Sequence, residues 1–140
     1  LNEELGLSKP FVAVHIRRGD KVGGTRRESL KVDLPDYAAA TAKNLPSGCS
    51  HVAVCTDDVL AAEEFDRELK RLVPKVITRW RQRLDVPQSL RNGHWQADYN
   101  ALPLEQRIHL THEFLADVEV LRTAQVCICT FSSNVGRLVA

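Results

Sequence analysis

Three short runs of apolar, largely β-branched residues punctuate the chain, and each runs into a polar cluster. Phe11–Ile16 leads into Arg17-Arg18-Gly19-Asp20-Lys21, His51–Cys55 into Thr56-Asp57-Asp58, and Val126–Cys129 into Thr130-Phe131-Ser132-Ser133-Asn134. Continuous runs of this kind predict strands covered on both faces, the habit of a parallel sheet. Lys75–Thr78 is a fourth, weaker strand candidate.

Between the strands the apolar spacing lengthens to that of helices. Asp33 and Pro35 form a start signal for a helix running through Ala42, and Pro46-Ser47-Gly48 makes a turn before the second strand. Asp57 or Asp58 can cap a helix over Val59–Leu69, with Phe65 and Leu72 on its apolar face. From Leu104 to Thr123, Ile108, Leu115, Val118 and Leu121 recur at helical spacing and Phe114 widens the stripe, which predicts that this side faces the core. Ser132-Ser133 ahead of Val135, Leu138 and Val139 marks another helix start. Strand and helix in alternation predict an α/β layer fold: a Rossmann-like parallel sheet with flanking helices. The stretch 79–103, with Trp80, Pro87, Asn92-Gly93, Trp95 and Tyr99, lacks this rhythm and is expected to be a loop insertion.

Composition adds bounds. With 140 residues, 44% of them apolar, one core is affordable, and a single domain over 1–140 is expected. Nineteen Lys and Arg against eighteen Asp and Glu give a net charge of +1, which speaks against nucleic acid or a membrane surface as the main partner. No apolar run approaches the roughly 20 residues of a membrane span. The chain holds no Met, not even at position 1, and is expected to be a truncated piece of a longer protein. Cys49, Cys55, Cys127 and Cys129 lack the C-x-x-C pairs of a zinc site; the last three lie in apolar runs and are expected to be buried thiols.

The chemistry is expected at the strand ends. In open α/β sheets ligands sit beyond the carboxyl ends of the strands, and three of those ends carry guanidinium groups, carboxylates, and hydroxyls followed by an amide. If the strands are parallel neighbours, the three sets share one rim. Alternation can relax at a strand end, which would let Arg17 and Arg18 both turn to one ligand, and paired guanidinium forks suit a diphosphate. The helix start at Ser132-Ser133 favours an anion as well. Asp57 or Asp58 can accept from a ribose or a base edge, though such a pair taken alone is more often a helix cap. His15, inside a strand, reads as a core or supporting histidine. Together these residues fit a sugar nucleotide.

The same residues resemble a family. His15-Ile16-Arg17-Arg18-Gly19-Asp20-Lys21-Val22-Gly23 is similar to the H-x-R-R-x-D-K-V-G signature of the α-1,6-fucosyltransferases, which attach core fucose to N-glycans, and to related motifs in rhizobial chitin-oligosaccharide fucosyltransferases. Ala53-Val54-Cys55-Thr56-Asp57-Asp58 resembles that family's A-T-D-D segment, and Cys129–Val135 its C-T-F-S-S-Q-V segment. The resemblance spans about residues 10–140 and implies the GDP-fucose-binding half of a GT-B-like glycosyltransferase, one lobe of two.

It also implies roles. Arg17 and Arg18 would hold the GDP diphosphate. His15, Tyr37, Asp57, Asp58, Asp117 and Ser133 would join them in donor binding, with Asn134 where the family has Gln. Glu28, nine residues before Tyr37, aligns with the catalytic base; Asp20 is the second candidate, and Lys21 belongs to the same loop. The implied reaction is metal-independent, inverting transfer of fucose from GDP-β-L-fucose to a glycan hydroxyl, on an N-glycan or a chitin-type oligosaccharide, with no cofactor. A parent anchored in the Golgi membrane and facing its lumen is implied too. An inactive nucleotide- or glycan-binding module of the same fold is the alternative, and a plain α/β scaffold whose polar strand ends are only caps is a third.

Overall fold

The computed structural model describes residues 5–8, 10–19, 31–82, 86–130 and 132–139. Four strands, β1 (Phe11–Ile16), β2 (His51–Thr56), β3 (Ile77–Trp80) and β4 (Val126–Ile128), form one sheet in the order β3-β2-β1-β4. Every pairing is parallel, running from Phe11↔His51 to Ile16↔Thr56 between β1 and β2 and from Val12↔Val126 to Val14↔Ile128 between β1 and β4. The central strand β1 is buried at all six positions, the reason its sequence is a continuous apolar run rather than an alternating one.

Alternation along β1 sorts its residues between two cores. Val12, Val14 and Ile16 pack against helices α1 (Leu34–Lys43) and α2 (Val59–Leu72) through Leu34, Tyr37, Ala38, Ala62, Phe65 and Leu69. Phe11 and Ala13 face the other way, onto Val120 and Leu121 of α4 (Leu104–Thr123) and Val135 and Val139 of α5 (Asn134–Val139). The chain is therefore an α/β protein with helices on both faces of an all-parallel sheet, an arrangement compatible with a Rossmann-like fold. The sheet grows from β1 toward β2 and β3 on one side and reaches β4 on the other, so its order reverses at β1 and a crevice opens there, above the carboxyl ends.

Local sequence explains the helix limits. Asp33 stands at the start of α1 in extended conformation with Pro35 in the first turn, where a missing N–H costs nothing. Asp58, rather than Asp57, caps α2, its carboxylate accepting from the N–H groups of Leu60 at 3.0 Å and Ala61 at 3.3 Å.

Helix α4 departs from its expected orientation. Leu110, Val120 and Leu121 are its buried residues, whereas Ile108, Phe114 and Leu115 are 47%, 43% and 55% exposed. Apolar residues occur all round this helix, so no single stripe marks the core side, and only its last turns lie against the sheet.

Within 79–103 the described residues are ordered: the end of β3, a 3-10 turn at Gln88–Leu90 and helix α3 (Gln96–Ala101). A small separate cluster explains this order. Val86 and Leu90 pack on Leu110 of α4, with Tyr99 and Leu102 beside them. The Tyr99 hydroxyl adds a 3.2 Å bond to the Arg107 carbonyl and a 2.9 Å bond with the Thr111 hydroxyl.

Candidate functional site

A cleft of about 330 Å³ opens where the sheet order reverses. His15 and Arg17 reach it from the tip of β1, and Thr56 and Asp57 from the tip of β2. Asp117 reaches it from α4, and Ser133 and Asn134 from the start of α5. Its apolar lining comes from Val86 and Leu90 and from Phe114, Val118 and Leu121 of α4. His94 and Tyr99 complete the rim with their rings 5.2 Å apart.

The side chains of Arg17 and Arg18 diverge. The alternation of β1 continues past its last residue, so Arg17 falls on the cleft side with His15 while Arg18 falls on the α1 side with Ile16. What prolongs it is Asp57: one carboxylate oxygen accepts the Arg18 backbone N–H at 2.8 Å, holding that residue in line with the strand. The Arg18 guanidinium then donates to the Val32 carbonyl at 3.1 Å and does not line the cleft. Arg17 does line it, its guanidinium 3.1 Å from the second Asp57 oxygen and its side chain still 19% exposed.

Asp57 is the node of the site. That second oxygen also accepts the His94 backbone N–H at 2.8 Å, so a single carboxylate ties the ends of β1 and β2 to the 92–94 segment. Burial pushes its carboxyl above the usual carboxylate range, opposed by the Arg17 charge and by the hydrogen bonds from His94 and Arg18. Two glycines let the segment come this close. Gly19 and Gly93 both take positive φ, +80° and +121°, and a Cβ on either would fall within 2.5 Å of the other segment's backbone. An antiparallel bridge between Asp58 and Asn92 extends the contact.

The remaining expected residues separate into three groups. His15 lies in the cleft wall, 7% exposed, its Nδ1 buried with no hydrogen-bond partner among the described residues. Burial, reinforced by Arg17, holds its imidazole down at about 4, so it is neutral. Asp117 faces the cleft with the Arg81 guanidinium 3.7 Å away, and Ser133 is buried with its N–H on the Thr130 carbonyl at 3.0 Å. The Asn134 side-chain oxygen accepts from Arg137 at 2.6 Å. Asp58 and Tyr37 are placed elsewhere: Asp58 caps α2, and Tyr37 belongs to the α1 core, its hydroxyl bonded to the Thr130 side chain. Asp20, Lys21 and Glu28 lie outside the described residues.

The sequence reading did not pick out Thr56, Leu90, His94, Gln96 or Thr111, all of which line the cleft. Asn92-Gly93 beside His94 was the available signal, a tight turn among aromatic residues in a stretch with no helical or strand period.

Chemically, the cleft offers an apolar lining from Val86, Leu90, Phe114, Val118 and Leu121. Beside it stand an oriented guanidinium, a carboxylate, an unprotonated imidazole and a hydroxyl. No known protein family matches the sequence, and no curated protein is detectably similar to it.

Proposed function

We propose that this chain is the donor-binding lobe of a GT-B-like fucosyltransferase, taking GDP-fucose in the cleft at the β1 tip. The observation that supports this reading is convergence: His15 and Arg17, Asp57, and Ser133, drawn from three separated segments that resemble one family's signature, line one cleft together with Asp117 of α4. The apolar lining suits a nucleobase, and the guanidinium of Arg17, oriented by Asp57, would meet a phosphate without first being ordered.

In the proposed reaction the acceptor hydroxyl oxygen attacks the anomeric carbon from the face opposite the nucleotide. The bond from that carbon to the β-phosphate oxygen breaks, and the electron pair leaves with GDP. Glu28 takes the hydroxyl proton, help of a kind that contributes about 10²–10⁴-fold. Arg17 stabilises the charge that gathers on the leaving diphosphate. Donor and glycan acceptor are the only partners this chemistry needs, and the residues named carry it without a metal ion. A Golgi-lumen parent acting on N-glycans or chitin-type oligosaccharides follows from the same resemblance.

Calorimetry with GDP and GDP-fucose, followed by turnover of the full-length parent and its Glu28→Gln variant with a glycan acceptor, tests the reading. Micromolar donor binding kept in the variant with turnover lost supports it; absence of nucleotide binding overturns it.

One observation favours a second reading, a binding module without catalysis. Arg18 is turned to the Val32 carbonyl, which leaves the cleft one guanidinium of the pair. Under that reading the parent binds nucleotide or glycan and shows no turnover with any acceptor.

A further inference from the structure

Strand β4 carries Cys127, and Cys129 follows two positions on, so alternation sets both side chains on the face that α4 and α5 cover. The two thiols are near enough to influence each other's ionisation. The Cys129 sulfur in turn lies 3.9 Å from the Gly136 carbonyl oxygen, and a Cβ at Gly136 would come within 3.3 Å of it. Both thiols are half-buried, whereas Cys49 and Cys55 are buried, with Cys49 donating to the Pro10 carbonyl and Cys55 to the Asp117 carbonyl. Two half-buried thiols on one face, two positions apart and one loop away from Ser133, make a pair distinct from the other two cysteines.

We propose that Cys127 and Cys129 form a redox dithiol that closes to a disulfide by exchange with a small-molecule disulfide, and that closure shifts the cleft wall at Ser133. The exchange conserves atoms and electrons. The Cys129 thiolate attacks one sulfur of oxidised glutathione and expels one glutathione thiolate. The Cys127 sulfur then displaces the second glutathione from the mixed disulfide. Two electrons pass from the cysteine pair to the glutathione disulfide, and the two cysteine protons end on the two glutathione thiols. The order of attack follows from the site: burial and the neighbouring sulfur push the Cys127 thiol up to about 12, so Cys127 keeps its proton and serves as the resolving partner.

Transmission to the cleft follows from tight packing. A disulfide brings the two sulfurs to a covalent separation of about 2 Å, drawing Cys129 away from Gly136. Thr130 must follow, and it has little room: its carbonyl accepts the Ser133 N–H at 3.0 Å, and a Cβ at Gly136 would lie 2.3 Å from that same oxygen. A ring closed across two residues of extended backbone is strained, which keeps the bond reducible and the change reversible.

This proposal does not rest on the proposed function, and its test uses no nucleotide. The protein is treated with oxidised glutathione, remaining thiols are alkylated, and trypsin releases the peptide from Thr123 to Arg137, which holds Cys127 and Cys129 and no other cysteine. The expected product is that peptide unalkylated and lighter by two hydrogens, restored by dithiothreitol. Amide hydrogen exchange at Ser133 is expected to change at least tenfold on oxidation. Cys127→Ser should stop at a glutathione adduct on Cys129, and Cys49→Ser should leave the disulfide intact. A peptide alkylated on both cysteines at every oxidant ratio overturns the dithiol. A disulfide that leaves Ser133 exchange unchanged overturns its effect on the cleft.

Discussion

Arg17 and Arg18 are neighbours in sequence whose guanidinium groups serve opposite faces of the sheet. The first lies 3.1 Å from Asp57 in the cleft wall, and the second donates to the Val32 carbonyl behind it. Their truncation should separate accordingly. Arg17→Ala is expected to weaken GDP binding by about 10- to 100-fold, the loss of one charge-assisted contact. Arg18→Ala should cost about 1 kcal/mol of stability and less than threefold in affinity. Calorimetry and urea unfolding on both variants check this, and equal losses of affinity would contradict the divergence.

Removing the Asp57 carboxylate strands two part-buried backbone N–H groups and the Arg17 guanidinium at once. Asp57→Ala is expected to lose about 3–5 kcal/mol, the usual cost of breaking a buried ionic node by deleting one partner. Gly93→Ala attacks the same junction by crowding, since its Cβ would fall 2.5 Å from the Gly19 nitrogen. About 1–3 kcal/mol is the expected loss there, read by thermal unfolding.

His15 makes stability depend on pH. Its imidazole titrates at about 4 in the folded protein against 6.5 in the unfolded chain, so the unfolded chain binds the proton more tightly. Its contribution is therefore complete above about pH 6.5 and is lost as pH falls through that window toward 4, in total about 3 kcal/mol. Unfolding of wild type and His15→Gln at about pH 7 and about pH 4.5 isolates it: the variant should show the shallower decline.

Two leucines of α4 should respond in opposite ways. Leu121, 2% exposed against β1, is expected to cost about 2–5 kcal/mol on truncation to Ala. Leu115, 55% exposed, should change stability by less than about 0.5 kcal/mol as Leu115→Ala. Denaturant midpoints of the two variants decide whether α4 sits as described.

That contrast also marks what the sequence made legible. The strands were readable because a strand buried on both faces needs an unbroken apolar run, and α1 and α2 because one face of each is apolar and a start signal precedes it. Helix α4 was readable in extent but not in orientation: Val118 and Phe114 line the cleft, Leu121 packs on the sheet, and Ile108 and Leu115 meet solvent, so their common spacing carried no common meaning. The site was legible as far as it lay at strand ends. Whether Asp57 or Asp58 caps α2 depends on which carboxylate the Arg18 and His94 amides claim, a contact between segments far apart in sequence. His94 and Tyr99 stayed hidden because their place depends on a backbone contact between Gly19 and Gly93 that no periodicity announces.

The pairing of Val12 with Val126 sets an order of events during synthesis. A ribosome delivering roughly 5–20 residues per second exposes β1, β2 and their two helices several seconds before β4 emerges. Through that interval one flank of the middle strand has no neighbour, and its unpaired amides and carbonyls are open to a strand from another nascent chain. The crevice beside β1 is thus completed only after β4 emerges, and the yield of correctly assembled protein should depend on how quickly that strand arrives.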